Sequence, residues 1–111
     1  MSLEIKVSEL KRVKMLEVSG RVDSISADEL REALASSIEE YNKIVIELSG
    51  VEYMSSAGLR EMVSALKTVK KTGGDLRLAN PSDKVKEVLE LAGLDSIFQI
   101  YPTTVDAVGS F

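Results

Sequence analysis

The sequence predicts an α/β domain on a mixed sheet, and three observations carry that prediction. Runs of alternating or continuous apolar residues are interleaved with stretches whose apolar residues recur every three to four positions. The interleaved part implies a parallel sheet with right-handed crossovers. Two strand-like runs precede it with no helix between them, which adds an antiparallel hairpin. The expected order is β-β-α-β-α-β-α-β-α. At 111 residues, without a repeat, low-complexity segment or linker, residues 1–111 read as one domain.

Each element has its own grounds. Leu3, Ile5 and Val7 alternate with polar residues as in a half-buried strand. Val13, Met15, Leu16 and Val18 suggest a second strand that Gly20 ends, with a short polar link around Ser8–Arg12 closing the hairpin. Ser26-Ala27-Asp28-Glu29 reads as a capping box, with Ser26 as N-cap and Glu29 returning to it. Leu30, Leu34, Ile38 and Tyr41 then line one face of a helix. Ile44–Leu48 is the least polar strand, expected to be central and parallel. Leu59, Met62, Val63, Leu66 and Val69 mark an amphipathic helix over 56–72, which Gly73-Gly74 stops. Leu76 and Leu78 mark another strand. Pro81-Ser82 opens a helix with Val85, Val88, Leu89 and Ala92 inward and Gly93 as its left-handed stop. Ile97–Tyr101 is a last strand, and Thr103 caps a short final helix carrying Val105 and Val108.

Composition excludes several function classes. Absence of cysteine removes disulfides, thiolate catalysis and thiolate metal sites, and absence of histidine removes Ser-His-Asp devices and imidazole ligands. The net charge is −4 and no basic run exceeds Lys70-Lys71, which argues against nucleic acid as main partner. The N-terminus MSLEIKVSEL has no apolar core of a signal peptide, and no apolar stretch reaches membrane-span length. A soluble cytoplasmic protein is the expectation.

The most informative segment is Val51–Arg60, which joins the central strand to a helix and carries Ser55 and Ser56 at the helix start. Unpaired N–H groups and the positive end of the helix dipole favour an anion there. Serine is also among the best N-caps, and a cap and a phosphorylation site are compatible. A nucleophile elbow needs glycine two residues before and two after its serine, plus a histidine base. Gly58 supplies the second glycine for Ser56, but Met54 stands at the first and no histidine exists, so catalysis is not expected. Gly58 either permits close approach of another backbone or is a helix glycine tolerated at about 1 kcal/mol. Met54, Leu59 and Met62 read as core, with Met54 also suited to a soft exposed contact. The Gly20–Ser24 loop can emerge at the same sheet edge as residues 49–56, which places the Asp23 carboxylate near the serines.

The stretch Ile44–Arg60, with the Gly20–Asp23 loop before it and Gly73–Asn80 after it, resembles the STAS family, most of all its stand-alone bacterial anti-sigma factor antagonists. Family members read a buried strand, a few residues, then Asp-Ser-Ser/Thr-Gly-Leu opening a helix. Aligned on its Gly-Leu pair, that motif falls on Ser55-Ser56-Ala57-Gly58-Leu59, and the family's phosphorylated serine falls on Ser56. Ser55 stands where many members have Asp and Ala57 where they have Ser or Thr, so Ser55 is a second possible acceptor. The resemblance implies partner switching. The unphosphorylated protein binds an anti-sigma factor that is also a serine kinase and so frees a sigma factor; phosphorylation releases it, and a serine phosphatase restores it. It implies partner contacts through Asp23, Ser24, Met54, Ser55, Ser56, Ala57, Gly58 and Leu59. No cofactor or metal is expected, and a monomer when free is the default expectation. Two alternatives keep the fold: an accessory or scaffold subunit of a lipid-transport or signalling complex, and a small-ligand or nucleotide-binding module.

Overall fold

A computed structural model describes residues 3–111. The elements are β1 (Leu3–Leu10), β2 (Val13–Val22), α1 (Ala27–Glu40), β3 (Lys43–Met54), α2 (Ser56–Lys70), β4 (Asp75–Ala79), α3 (Asp83–Leu91), β5 (Ile100–Tyr101) and α4 (Thr104–Gly109). The five strands form one sheet in the spatial order β1-β2-β3-β4-β5. β1 pairs antiparallel with β2, and the remaining pairs are parallel. The expected element order and the mixed sheet are therefore observed.

Strand alternation divides the core in two. Leu16, Val18, Ile44, Ile46, Leu48, Leu76 and Leu78 pack under apolar residues of α1, α2 and α3. Their intervening neighbours Val13, Val45 and Ala79 meet Ala107 and Val108 of α4 on the other face. Completely buried Met62 and Val69 fix α2 against the sheet; burial of such side chains stabilises by about 1.5–3 kcal/mol each.

Several boundaries differ from the sequence reading. The hairpin turn is only Lys11-Arg12, both with positive φ (54° and 68°), as a two-residue turn between right-twisted strands requires. Val7 is exposed, because β1 is the edge strand and the helical layer covers only its beginning, Leu3 and Ile5. Gly20 does not end β2; the strand passes through it to Val22 at φ 99°. The last strand shrinks to Ile100–Tyr101, since a 3-10 turn at Leu94–Ser96 takes up the chain after Gly93. Ala92 and Val105 face solvent, and Ala107 fills the inward place beside Val108. Gly74 has a packing reason that its turn role alone did not reveal: a Cβ there would lie 1.8 Å from the Asn42 carbonyl oxygen.

Candidate functional site

β2 and β3 run parallel, so their C-terminal ends share one edge of the sheet. Register shifts after Glu17 and Gly20 bring Val22 opposite Met54, although Glu17 pairs with Glu47. Such bulges bend a strand end and re-aim the loop beyond it. The Ser55 N–H then donates to the Val22 carbonyl at 2.8 Å, which ties the start of α2 to the residue before Asp23. The loop containing Asp23 and the serine pair are thus neighbours, as the parallel topology implied.

The two serines divide the work. Ser55 is the N-cap, with extended backbone (φ −85°, ψ 169°), and its Oγ accepts the Gly58 N–H at 3.2 Å. Ser56 is the first residue of the helix and is exposed. The first turn of α2 carries no acidic side chain. An anion on the Ser56 hydroxyl meets free helix amides and the positive dipole end with no competing carboxylate from its own turn.

The Asp23 loop is a closed turn. Asp23 Oδ1 accepts the N–H groups of Ile25 (3.0 Å) and Ser26 (2.8 Å), and the Asp23 N–H donates to Ser26 Oγ at 2.9 Å. The Ser26 hydroxyl lies within donor reach of the Arg21 carbonyl (2.8 Å) and of Asp23 Oδ1 (3.0 Å). The Ser26 N–H, then its hydroxyl, hold the Asp23 carboxyl below the usual carboxylate range, with smaller help from the Ile25 N–H and Arg21. The expected capping box is absent: Ser26 has helical backbone angles and makes no side-chain cap. Its hydroxyl is occupied upstream, and Asp23 closes the turn before α1 instead.

The contact residues expected from sequence separate by depth. Ser24 and Ser56 are exposed, and Asp23, Ser55 and Ala57 are half-buried. Met54 (4 % exposed), Gly58 and Leu59 are buried beneath that edge. Gly58 does admit a close neighbour, but that neighbour is side chain and not backbone. A Cβ there would stand 2.5 Å from Met54 Sδ and 2.6 Å from Val22 Cγ1.

The structure adds residues that sequence reasoning passed over. Ile25 is 84 % exposed on the Asp23 turn. Tyr53 is 42 % exposed, and the Arg21 guanidinium lies over its ring at 4.5 Å. Arg60 is exposed one turn after Ser56. Ile25 had a sequence signal: it is an isolated apolar residue in a polar loop, Asp23-Ser24-Ile25-Ser26, matching neither flanking period. Among the described residues no cluster of three or more Asp or Glu could hold a metal, and no helix is long and apolar enough to cross a membrane. A groove of about 250 Å³ between α1 and α2, lined by Leu34, Ile38, Ala65 and Thr68 among others, does not include Ser55 or Ser56.

Comparison with known proteins identifies the family. The STAS domain profile matches residues 4–107. The anti-sigma-B factor antagonist of Bacillus subtilis (strain 168) is 34% identical over 100 residues, which are 90% of this chain and 92% of that protein. The crystal structure of an anti-sigma factor antagonist from Mycobacterium paratuberculosis has a TM-score of 0.90 at 28% identity, covering 98% of this chain and 93% of that one. The phosphorylated form of the Bacillus cell fate determinant SpoIIAA shares the fold at 17% identity, with a TM-score of 0.77 over 96% of this chain and 98% of its own. Helix start, capped serine pair and sheet edge thus stand in a chain that belongs to the STAS domain family.

Proposed function

We propose that this chain is an anti-sigma factor antagonist that regulates transcription by partner switching, with Ser56 as the phosphorylated residue. One observation carries the reading: Ser56 is exposed at the first position of α2 while Ser55 holds the cap. A kinase reaches the Ser56 hydroxyl without dismantling a structural hydrogen bond. Ser56 Oγ takes the γ-phosphoryl group of ATP, ADP leaves, and the hydroxyl proton is released.

The phosphate adds about −1.5 to −2 charge with three strong acceptor oxygens. Within the chain that charge is favoured by the helix dipole, by about 0.3–1 kcal/mol. Across a docked surface it must be desolvated beside partner groups selected to meet a neutral hydroxyl, and the loss there reaches a few kcal/mol. One modification therefore changes affinity while leaving the fold standing. The partners are an anti-sigma factor with serine kinase activity and a serine phosphatase, and the antagonist acts by binding rather than by catalysis.

The test is incubation with the cognate anti-sigma factor and ATP, followed by peptide mapping. Ser56 is the expected site, and modification of Ser55 alone would refute the assignment. The complex formed by Ser56→Ala should also resist dissociation by ATP; release as ready as that of wild type would refute the switch.

A further inference from the structure

Among the described residues, the start of α2 holds a cation that no anion meets. Arg60 lies four residues after Ser56, both are exposed, and residues at that spacing are neighbours on a helix surface. Helical side chains lean toward the N-terminus, so the Arg60 guanidinium is carried toward Ser56 rather than away from it. An acidic group placed four residues before a basic one is also the more favourable order. Other cations near this end are engaged: Arg31 holds Asp28 at 2.6 Å, and Arg21 lies over the Tyr53 ring. The described ion pairs involve Lys14, Arg31 and Arg77 and leave Arg60 without a carboxylate.

We propose that Arg60 is the counter-ion of phosphorylated Ser56, a positioning residue that folds back one helical turn to hold the phosphate. The inference rests on Ser56 being the acceptor and specifies how that site is regulated. Before modification Arg60 is a free cation on the docking edge. After modification it is tied to the phosphate, so a single event both adds an anion and withdraws a cation from the surface the partner meets. Guanidinium suits this task because its fork bonds two phosphate oxygens together.

The experiment installs phosphoserine at position 56 by genetic-code expansion in wild type, Arg60→Gln and Arg60→Lys, and titrates the phosphate by phosphorus NMR. Pairing favours the dianion, so the second ionisation of wild type lies lowest. Arg60→Gln should raise that pKa by about 0.15–0.4 units, Arg60→Lys should recover most of the shift, and high salt should shrink the difference. Arg21 on β2, Asp23 just after it, Glu52 on β3 and Glu61 on α2 are common to all three proteins, so the difference reports Arg60. Indistinguishable titrations of wild type and Arg60→Gln would overturn the proposal. The outcome does not depend on any kinase. A kinase that modifies Ser55 instead would refute the acceptor assignment and leave this measurement standing.

Discussion

Ile25→Ala separates a docking residue from a structural one. The Ile25 N–H is held by Asp23 Oδ1 at 3.0 Å, and its side chain is 84 % exposed. A stiff, β-branched apolar side chain on a pinned turn loses little rotamer freedom when a partner covers it. Covering a side chain of this size is worth about 1.5–3 kcal/mol, and truncation to alanine removes three carbons at about 0.8 kcal/mol each. If Ile25 seats in an apolar pocket of the anti-sigma factor, Ile25→Ala should weaken binding by about 1.5–2.5 kcal/mol, or roughly 10- to 70-fold. The folded chain has little contact to lose at so exposed a position, so stability should stay within about 0.5 kcal/mol of wild type. Calorimetric titration against the anti-sigma factor, with thermal melts on the same samples, measures both. Unchanged affinity with an intact fold would refute the anchoring role.

The same geometry sets the outcome of other perturbations. Ser55→Ala removes the cap and should cost about 1 kcal/mol, a fall in melting temperature of about 4 °C, whereas Ser56→Ala should melt within about 0.5 kcal/mol of wild type; thermal melts of the pair check the order. Gly58→Ala gains about 1 kcal/mol of helix propensity, but its methyl group would collide with Val22 Cγ1 and Met54 Sδ. Val22 is completely buried and stiff, so overpacking of about 1–3 kcal/mol should leave the variant less stable in denaturant titration. Asp23 has its folded-state pKa depressed below the ordinary 3.8. Its contribution is therefore present above that value and is lost as pH falls through the folded pKa. Asp23→Asn should flatten that part of the acid limb when stability is measured against pH.

The fold is legible because the long elements carry strong periods. Ile44, Ile46 and Leu48, and the recurrence from Leu59 to Val69, each report a buried face directly. Misplaced residues sit where the period is short or local hydrogen bonds compete. α4 has too few residues to fix a stripe, so its pattern points Val105 inward whereas Ala107 holds that position. The pattern Ser26-x-x-Glu29 matches a capping box, but an aspartate three residues upstream draws off the serine hydroxyl, a choice that depends on the Arg21 carbonyl being within reach. At the site, the sequence marks the serine pair and its edge of the sheet. It does not separate cap from free hydroxyl, because both residues are serine and a one-residue shift of the helix start exchanges their roles. Met54 is open to either reading until the neighbouring strand fixes it under Gly58.

In the proposed switch, charge at Ser56 acts on a surface and not on the fold. The most direct measurement compares unmodified protein with protein phosphorylated at Ser56, using calorimetric titration against the anti-sigma factor and thermal melts of the same preparations. Affinity should fall at least about tenfold, equivalent to about 1.4 kcal/mol, while the melting temperature holds or rises slightly, as a favourable charge at a helix start requires. Equal affinity, or a drop in melting temperature that tracks the loss of binding, would contradict the account.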